Sequence, residues 1–493
     1  MSTTPWHNQR PVAWRLALVA LIVAVGIALS VLPLKWAALL LVGAIAAVVA
    51  LIQPALTLCL LPFAVPFGSL REIALGPVSV GGAEILMVAL VATWLAQSVV
   101  RRRIVIPHGP LLLPLTLFLG VLLLSLLPSA SLELSAKEIV KWIEVIVIYA
   151  LVSQAADERL GRWVVWALLA AATCEAVVGI YQFLGRVGPE GFVLFGRFMR
   201  AYGHFAQPNP FAGYLGLSFP LSYALSMQSW SSFARFLRRP SFALLPAVLP
   251  VVATGIAGVA IAMSWSRGAW VGLACSAGVV TLLRSRRAVV TVAIIVLFVT
   301  SGLALGGARY IPASLVQRGA DLIPFLSGID VAHAEVNDAN WAILERMAHW
   351  QAATGMISDH PWLGVGIGNY PVAYPQYAIG RWRDPLGHAH NYYLNIAAEA
   401  GLVGLGAYLI LVVACFVATL HVIRRTRESS WWRAVALGVM GVLTHLSVHN
   451  LFDNLYVHSM NVQLGLVLGL LVLADRYGRR EPGPSGNLTP GKV

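Results

Sequence analysis

Residues 163–184 read WVVWALLAAATCEAVVGIYQFL, an apolar run with a single charge, Glu175. A bilayer core about 30 Å thick is crossed by about 20 apolar residues of α-helix, so this run is long enough to span a membrane. About fourteen runs of this kind follow one another along the chain. The sequence therefore predicts an all-α, polytopic membrane protein with about 12–14 transmembrane helices.

The composition excludes a water-soluble fold. Hydrophobic residues make up 58% of the 493 residues and charged residues only 11%, and the mean hydropathy is +0.77. The excess of 34 Lys and Arg over 21 Asp and Glu lies in short loops between apolar runs, which indicates membrane topology and no nucleic-acid partner. The cysteines, which fall at wide spacings inside apolar runs, predict neither disulfide nor zinc site. They are Cys59, Cys174, Cys275 and Cys415.

The distribution of arginine predicts the orientation. The apolar runs lie at residues 16–34, 36–52, 56–67, 85–100, 111–127, 139–152, 163–184, 211–227, 244–263, 270–283, 289–305, 403–420, 434–446 and 462–473. Arginine clusters follow every second run from the fourth onward, at residues 101–103, 159–162, 235–239, 284–287, 424–433 and 476–480. Since cytoplasmic loops carry the positive charge, both termini are predicted to be cytoplasmic. The run at 56–67 carries Pro62 and Pro66 and could be re-entrant.

Residues 1–480 are expected to form one transmembrane domain. The long loop at residues 306–390 is predicted to lie outside the cytoplasm, and a loop of this length indicates function or structure of its own. Within it, residues 341–357 read as a helix on the membrane surface. The tail at 481–493 is rich in Pro and Gly and is predicted to be disordered in the cytoplasm.

Three charges fall inside apolar runs, where a charge costs a few kcal/mol. Lys141 and Glu144 lie one helical turn apart and could form an ion pair, with Glu175 as a further partner. Such a pair could be purely structural. Charges near the midplane also suit a polysaccharide or lipid transporter, or a flippase.

Four charged or titratable residues fall instead at the outer boundary of the predicted spans: Arg200, Arg267, Arg346 and His390. Arginine offers phosphate a planar, permanently charged fork, and histidine accepts a proton near neutral pH. Together they predict an anion site with a general base. A single outer arginine could instead be a lipid head-group anchor.

Three further local patterns concern the surroundings of this predicted site: a glycine, a pair of histidines and a run of glycines. If the segment after His390 is helical, Gly401 lies on the same stripe and lets another helix approach beneath the histidine. His388 and His390 could ligate a metal, but no third ligand has suitable spacing, so no metal is predicted. The glycines of residues 364–368 indicate a turn and not a nucleotide loop, because no βαβ unit surrounds them.

Four stretches, in this order, carry a family resemblance. They are Arg200-Ala201-Tyr202-Gly203 through Pro208-Asn209-Pro210 to Gly213-Tyr214-Leu215; Ser266-Arg267-Gly268; Glu345-Arg346 with Trp350 and residues 360–366; and His390-Asn391 with Glu399-Ala400-Gly401. The region 197–406 thereby resembles the O-antigen ligase and O-antigen polymerase superfamily of bacterial envelope glycosyltransferases.

The resemblance implies a GT-C-like enzyme that transfers a glycan from an undecaprenyl-diphosphate carrier to an acceptor hydroxyl of a glycolipid or glycan. It places the reaction on the periplasmic, outer face of the inner membrane, among membrane lipids. By motif, Arg267 and Arg346 would bind the diphosphate together with Arg200, although Arg197 could fill the role of Arg200. His390 would be the catalytic base.

This chemistry requires no cofactor, because guanidinium groups can stabilise the departing phosphate without a metal. Asn391, Glu175 and Lys141 are supporting candidates. O-antigen ligation to lipid A-core, O-antigen polymerisation and protein O-oligosaccharide transfer share this donor chemistry, and the transporter or flippase is the rival class.

Overall fold

The computed structural model describes residues 53–68, 73–75, 78–100, 102, 109–154, 157–285, 331–336 and 340–479, with residues 290, 294, 297 and 301. The apolar runs predicted at 16–34 and 36–52, most of the run at 289–305 and the tail at 481–493 lie outside these residues. The chain divides into two compact units. One unit comprises residues 1–57 and 88–103, and the other comprises residues 58–87 and 104–493.

The described chain is mostly helical. Its first helices are α1 Pro54–Gly68, α2 Gly82–Val100, α3 Leu112–Leu124, α4 Leu132–Ser153, α5 Glu158–Gly185, α6 Pro208–Gly216, α7 Phe219–Arg238, α8 Leu245–Met263 and α9 Arg267–Arg284. The later helices are α10 Trp341–Asp359, α11 Tyr370–Tyr377, α12 Tyr392–Arg425, α13 Trp431–His449 and α14 Met460–Gly478. Two antiparallel pairs of short strands join β1 Ile73–Leu75 to β2 Val78–Val80 and β3 Val193–Leu194 to β4 Phe198–Met199. Single 3-10 turns lie at Glu190–Phe192 and Phe242–Leu244.

Six helices among the described residues are long and apolar enough to cross a membrane. They are Gly82–Val100, Glu158–Gly185, Phe242–Met263, Tyr392–Arg425, Trp431–His449 and Met460–Gly478. The prediction of an all-α, polytopic membrane protein is thereby confirmed. The total of 12–14 spans and the cytoplasmic termini stay predictions. The helix that contains the run at 163–184 begins after Asp157, whose side chain accepts a hydrogen bond from the backbone N–H of Arg159 over 2.9 Å and so caps it.

Two of the spans form the centre of the larger unit. Within their most apolar windows, 72% of α13 and 78% of α14 are buried, against 22–50% for the other four spans. α14 packs closely on α4 because Gly465 and Gly469 face Ile148 and Val152 with no room for a side chain. The C-terminal end of α13 is therefore held in the interior of the protein.

The run at 211–227 is not one helix, which corrects that predicted span. α6 ends at Gly216 and α7 begins at Phe219. Pro220 is the reason for the break, since it has no N–H to donate to the carbonyl four residues earlier. The hydroxyl of Ser218, in the break, accepts a hydrogen bond from the buried Gln463 of α14 over 2.7 Å.

The predicted ion pair between Lys141 and Glu144 is wrong. Lys141 pairs with Glu138 on its own helix, at 2.5 Å. Glu144 is buried and accepts a hydrogen bond from Asn461 of α14. Glu175 is a partner of neither, because it contacts the loop after Arg200. Each buried carboxylate thus has a neutral or histidine donor from another segment, which satisfies it without a lysine.

Candidate functional site

Three arginines from separate segments line one small pocket. Arg200 comes from the loop after β4, Arg267 from the first turn of α9 and Arg346 from α10. The pocket has a volume of about 60 Å³, and His449 and Asp453 also line it. A pocket of this volume accommodates a few water molecules or one phosphate-sized group. With three guanidinium groups and one carboxylate on its wall, the pocket is built for an anion.

Arg200 is fixed in place by two hydrogen bonds. Its Nε donates to the carbonyl of Ser264 over 2.7 Å, and its Nη2 donates to Oδ1 of Asn209 over 2.9 Å. Arg197 instead places its guanidinium over the ring of Phe198, 5.2 Å from its centroid. The structure therefore brings Arg200, and not Arg197, to the pocket.

A buried carboxylate of α5, Glu175, holds the loop that carries Arg200. Glu175 is 1% exposed, and it accepts hydrogen bonds from the backbone N–H and from Nδ1 of His204, over 2.6 Å and 2.8 Å. Gln182, two turns further along α5, accepts from the backbone N–H of Gly203 over 2.7 Å. The carboxylate inside α5 therefore positions the arginine loop and does not itself line the pocket.

His390 lies just before α12, which corrects the expectation that it belongs to a helical stripe with Gly401. The helix begins at Tyr392, and Asn391 is its cap, accepting hydrogen bonds from the backbone of Tyr393 and Leu394. His390 itself has a φ of +50°, a left-handed conformation that costs a non-glycine residue about 1–2 kcal/mol. Such local strain is typical of functional sites.

Asp453 connects His390 to the arginine pocket. The Nδ1 atom of His390 is 3.5 Å from Oδ1 of Asp453, and Asp453 lines the pocket with Arg346. Burial raises the pKa of this carboxyl, but the neighbouring His390 and His388 rings and Arg346 together hold the pKa well below its usual range. The carboxylate therefore stays ionised and faces the histidine ring.

His388 completes a three-membered polar cluster. The backbone N–H of His390 donates to Nδ1 of His388 over 3.1 Å, and Nε2 of His388 lies 3.9 Å from Oδ1 of Asp453. Burial, with the neighbouring His390, lowers the pKa of His388 to about 3. At neutral pH its ring is uncharged, with Nδ1 as acceptor and the proton on Nε2, toward the carboxylate.

The expectation that no third group accompanies the two histidines is wrong. His388, His390 and Asp453 each offer a ligand atom, and these atoms lie within 4.8 Å of one another. Imidazole and carboxylate are a donor set that divalent cations accept. However, Arg346 lies close enough to lower the pKa of Asp453, and a second positive charge beside it would be repelled.

Gly401 has a different role from the one predicted. Its φ of +69° and ψ of −173° kink α12, and a Cβ there would lie 2.1 Å from the carbonyl oxygen of Trp362. What approaches this glycine is a loop backbone and not a helix. The N–H of Leu402 donates to the carbonyl of Pro361 over 2.7 Å, and that of Val365 to the carbonyl of Ala398 over 2.9 Å. The loop is thereby bonded to α12 on both sides of the kink.

Two further predictions for this region, a helix and a turn, are confirmed, and one candidate residue lies outside the pocket. The helix predicted at 341–357 is confirmed as α10, and the glycine run at 364–368 is confirmed as a turn, with positive φ at Gly364, Gly366 and Gly368. Lys141, paired with Glu138, does not line the pocket.

Sequence reasoning missed Asp453, Asn209 and His449. A signal for Asp453 was present, because the polar residues at 449–454 follow the run at 434–446 at its outer end. Like Arg267, Asp453 is a charge at the outer boundary of a predicted span.

These elements define a multi-pass membrane protein with an arginine pocket joined to a histidine–carboxylate pair. Residues 251–409, about a third of the chain, match the family described as O-Antigen ligase, so this region is an O-antigen ligase family domain. The reactions of the family are glycan transfers of the O-antigen ligase or polymerase type in envelope biosynthesis. The matched region contains Arg267, Arg346 and His390, whereas Arg200 and Asp453 lie outside it. No curated protein matches the chain.

Proposed function

We propose that this protein is a metal-independent glycosyltransferase that moves a glycan from an undecaprenyl-diphosphate carrier to an acceptor hydroxyl, on the outer face of the cytoplasmic membrane. The observation that supports it most directly is the single pocket lined by Arg200, Arg267 and Arg346, which shares Asp453 with His390. An anion site and a base for the acceptor are the two groups that this transfer requires.

The arginines hold the diphosphate of the donor. Arg267 is only 7% exposed, so its charge acts in a site with little water, where electrostatic stabilisation is stronger than in solution. As the bond between the anomeric carbon and the diphosphate oxygen breaks, negative charge grows on that oxygen. Fixed guanidinium groups stabilise this charge without reorganising.

His390 accepts the proton of the acceptor. For Nε2 to accept this proton, the ring must carry its own proton on Nδ1, and the Asp453 carboxylate, 3.5 Å from Nδ1, favours that arrangement. The acceptor oxygen forms its bond to the anomeric carbon while its proton passes to Nε2. The ionised Asp453 then stabilises the imidazolium. Undecaprenyl diphosphate leaves with its negative charge.

We place this site on the outer face because the arginine clusters at residues 159–162 and 235–239 lie at the opposite ends of α5 and α7 from the pocket. A topology reporter fused after Val493 tests the orientation. Alkaline phosphatase activity at that position would contradict it.

Transfer and donor binding, measured separately on protein reconstituted in vesicles with an undecaprenyl-diphosphate glycan, test the roles. The variant His390→Asn removes the base and keeps the local backbone, because asparagine tolerates the left-handed conformation that His390 adopts. We expect this variant to bind donor normally and to lose turnover by about a hundredfold or more. His360→Asn, an exposed histidine of the same region, is the control.

Variants of the pocket arginines should instead bind the donor more weakly. Arg346→Lys keeps the charge but loses the planar fork, so it should weaken donor binding by about tenfold. Arg381→Lys, at an exposed site, should bind donor normally. Normal turnover of His390→Asn, or normal donor affinity of Arg346→Lys, would contradict the proposal. Supplying lipid A-core, a second lipid-linked glycan or a protein as acceptor then identifies the acceptor class.

A further inference from the structure

An apolar groove lies between α5 and α8. Its volume is about 770 Å³, and its walls include Trp163, Trp166 and Leu169 from α5 and Leu249 and Val252 from α8. Several of these side chains face outward, since Trp163 is 64%, Leu249 52% and Val252 46% exposed. In a membrane-spanning region, such a concave apolar surface faces lipid.

The groove lies at the opposite end of these helices from the arginine pocket. The pocket end is marked by Met263, the last residue of α8, whose carbonyl accepts from the N–H of Ala201. The groove starts instead at the beginning of both helices, with Arg159 on α5 and Pro246 on α8. From Arg159 to Thr173 it follows about 21 Å of helix, more than the thickness of one leaflet, about 15 Å.

Two arginines lie at the end of this groove where α5 begins, and they differ in their partners. Arg162 donates to Glu158 at 2.7 Å, and its guanidinium lies over the ring of Trp431 at 4.7 Å. Glu158 also accepts from Nε1 of Trp432 over 3.0 Å, so its carboxylate is already engaged. The exposed side chain of Arg159 has no hydrogen bond or ion pair within the described part of the chain. Its charge is available to a ligand in the groove.

We propose that the groove binds an anionic glycerophospholipid of the leaflet opposite the arginine pocket. One acyl chain lies along Trp166, Leu169 and Val252, and the phosphate binds Arg159. An apolar groove at least as long as one leaflet, with a cation at the end where α5 begins, matches a phospholipid in shape and charge. The donor carrier does not fit, because its diphosphate must reach the pocket at the other end of α5. Only this exclusion of the carrier rests on the proposed function, and binding of the phospholipid does not depend on transferase activity.

Native mass spectrometry of the purified full chain, titrated with phosphatidylglycerol or with phosphatidylcholine of the same acyl chains, tests the head-group contact. Phosphatidylglycerol should bind about tenfold more tightly, the effect of one charge-assisted hydrogen bond. Arg159→Gln should abolish this preference. Arg238→Gln, which removes an exposed arginine outside the groove, should retain it.

A second pair of variants tests the acyl-chain contact. Val252→Trp fills the groove and should lower binding of both lipids by about tenfold or more. Val259→Trp is the matched control, since Val259 is on the same side of α8, 47% exposed, and does not line the groove.

The proposal is overturned if Arg159→Gln keeps the preference or if Val252→Trp binds lipid like Val259→Trp. It is also overturned if undecaprenyl phosphate displaces phosphatidylglycerol more effectively than phosphatidylglycerol displaces itself, since the groove would then hold the carrier. A change from dimer to monomer in Val252→Trp would assign the groove to a second copy of the chain. If Val252→Trp does not fold, the comparison of Arg159→Gln with Arg238→Gln decides alone.

Discussion

The Nδ1 atom of His390 lies 3.5 Å from Oδ1 of Asp453, and the same carboxylate borders the pocket of Arg200, Arg267 and Arg346. One buried side chain thus faces both a titratable ring and three fixed cations. In the proposed mechanism it orients the base, and its position also balances part of the positive charge around the pocket.

Asp453→Asn separates these two effects. The amide keeps the size of the carboxylate but carries no negative charge, and its NH₂ group can face Nδ1 of His390, so it stabilises the protonated ring less well. We expect turnover to fall by about a hundredfold, while donor affinity stays the same or increases, because a negative charge has left the pocket. Steady-state transfer and donor titration measure the two effects.

The control for this variant is Asp384→Asn, an exposed aspartate that accepts a hydrogen bond from the backbone of Leu386. It should transfer glycan at the wild-type rate. Turnover of Asp453→Asn within about threefold of that rate would exclude orientation of His390 by this carboxylate.

A second prediction concerns the kink of α12. Gly401→Ala places a Cβ 2.1 Å from the carbonyl oxygen of Trp362, at a φ of +69° and a ψ of −173°. Backbone cannot move aside as a side chain can, so we expect a loss of about 3 kcal/mol or more in the free energy of unfolding. Thermal unfolding in detergent measures it.

Gly406→Ala, five residues further along α12, is the matched control. A Cβ at Gly406 meets nothing within 4 Å, so alanine should stabilise the helix by about 0.5–1 kcal/mol. If both variants had equal stability, the close approach of the loop to Gly401 would not hold α12 in its kinked form.

The sequence predicted the helical membrane fold and the arginines of the pocket, because apolar run length and outer-boundary charges are local signals. It did not predict the contacts that depend on distant segments. Lys141 and Glu144 are one turn apart on α4, yet Glu144 binds Asn461 of α14. A local pattern cannot identify a partner that packing brings from more than 300 residues away.

The error at His390 has a similar cause. Helical periodicity alone does not locate the start of a helix, and the side chain of Asn391 caps α12 immediately after His390. The same asparagine could have indicated a helix start, since asparagine is a preferred cap residue. Asp453 lies 63 residues after His390, a separation that no motif spacing connects.

Acid should destabilise the protein through His388. Its pKa is lowered to about 3 in the folded protein, against about 6.5 in the unfolded chain. Between these two pH values the unfolded chain binds the additional proton, so stability is complete above pH 6.5 and falls as the pH decreases. We expect up to about 1.4 kcal/mol of stability to be lost per pH unit from this group.

The pH dependence of thermal unfolding tests this contribution. His388→Gln should show a shallower decrease in unfolding temperature between pH 6.5 and pH 4, whereas His360→Gln, at an exposed position, should keep the wild-type slope. An unchanged slope in His388→Gln would mean that His388 is protonated at ordinary pH in the folded protein.

The last prediction concerns the loop that carries Arg200. Gly203 has a φ of +55°, and a Cβ there would lie 1.9 Å from Oε1 of Glu175 and 2.6 Å from the ring of Phe211. Gly203→Ala must therefore displace either the buried carboxylate or the loop, and Arg200 lies three residues away.

Gly196 is the matched control for this variant. It has a similar φ of +64° with nothing within 4 Å of its Cβ position, so Gly196→Ala has the same backbone strain, about 1–2 kcal/mol, without the overlap. We expect Gly203→Ala to lose more unfolding free energy than Gly196→Ala. It should also bind the undecaprenyl-diphosphate donor about tenfold more weakly, because Arg200 leaves its position between Ser264 and Asn209. Gly196→Ala should bind donor normally. Equal donor affinity in the two variants would show that the contact between Glu175 and the loop does not position Arg200 for the donor.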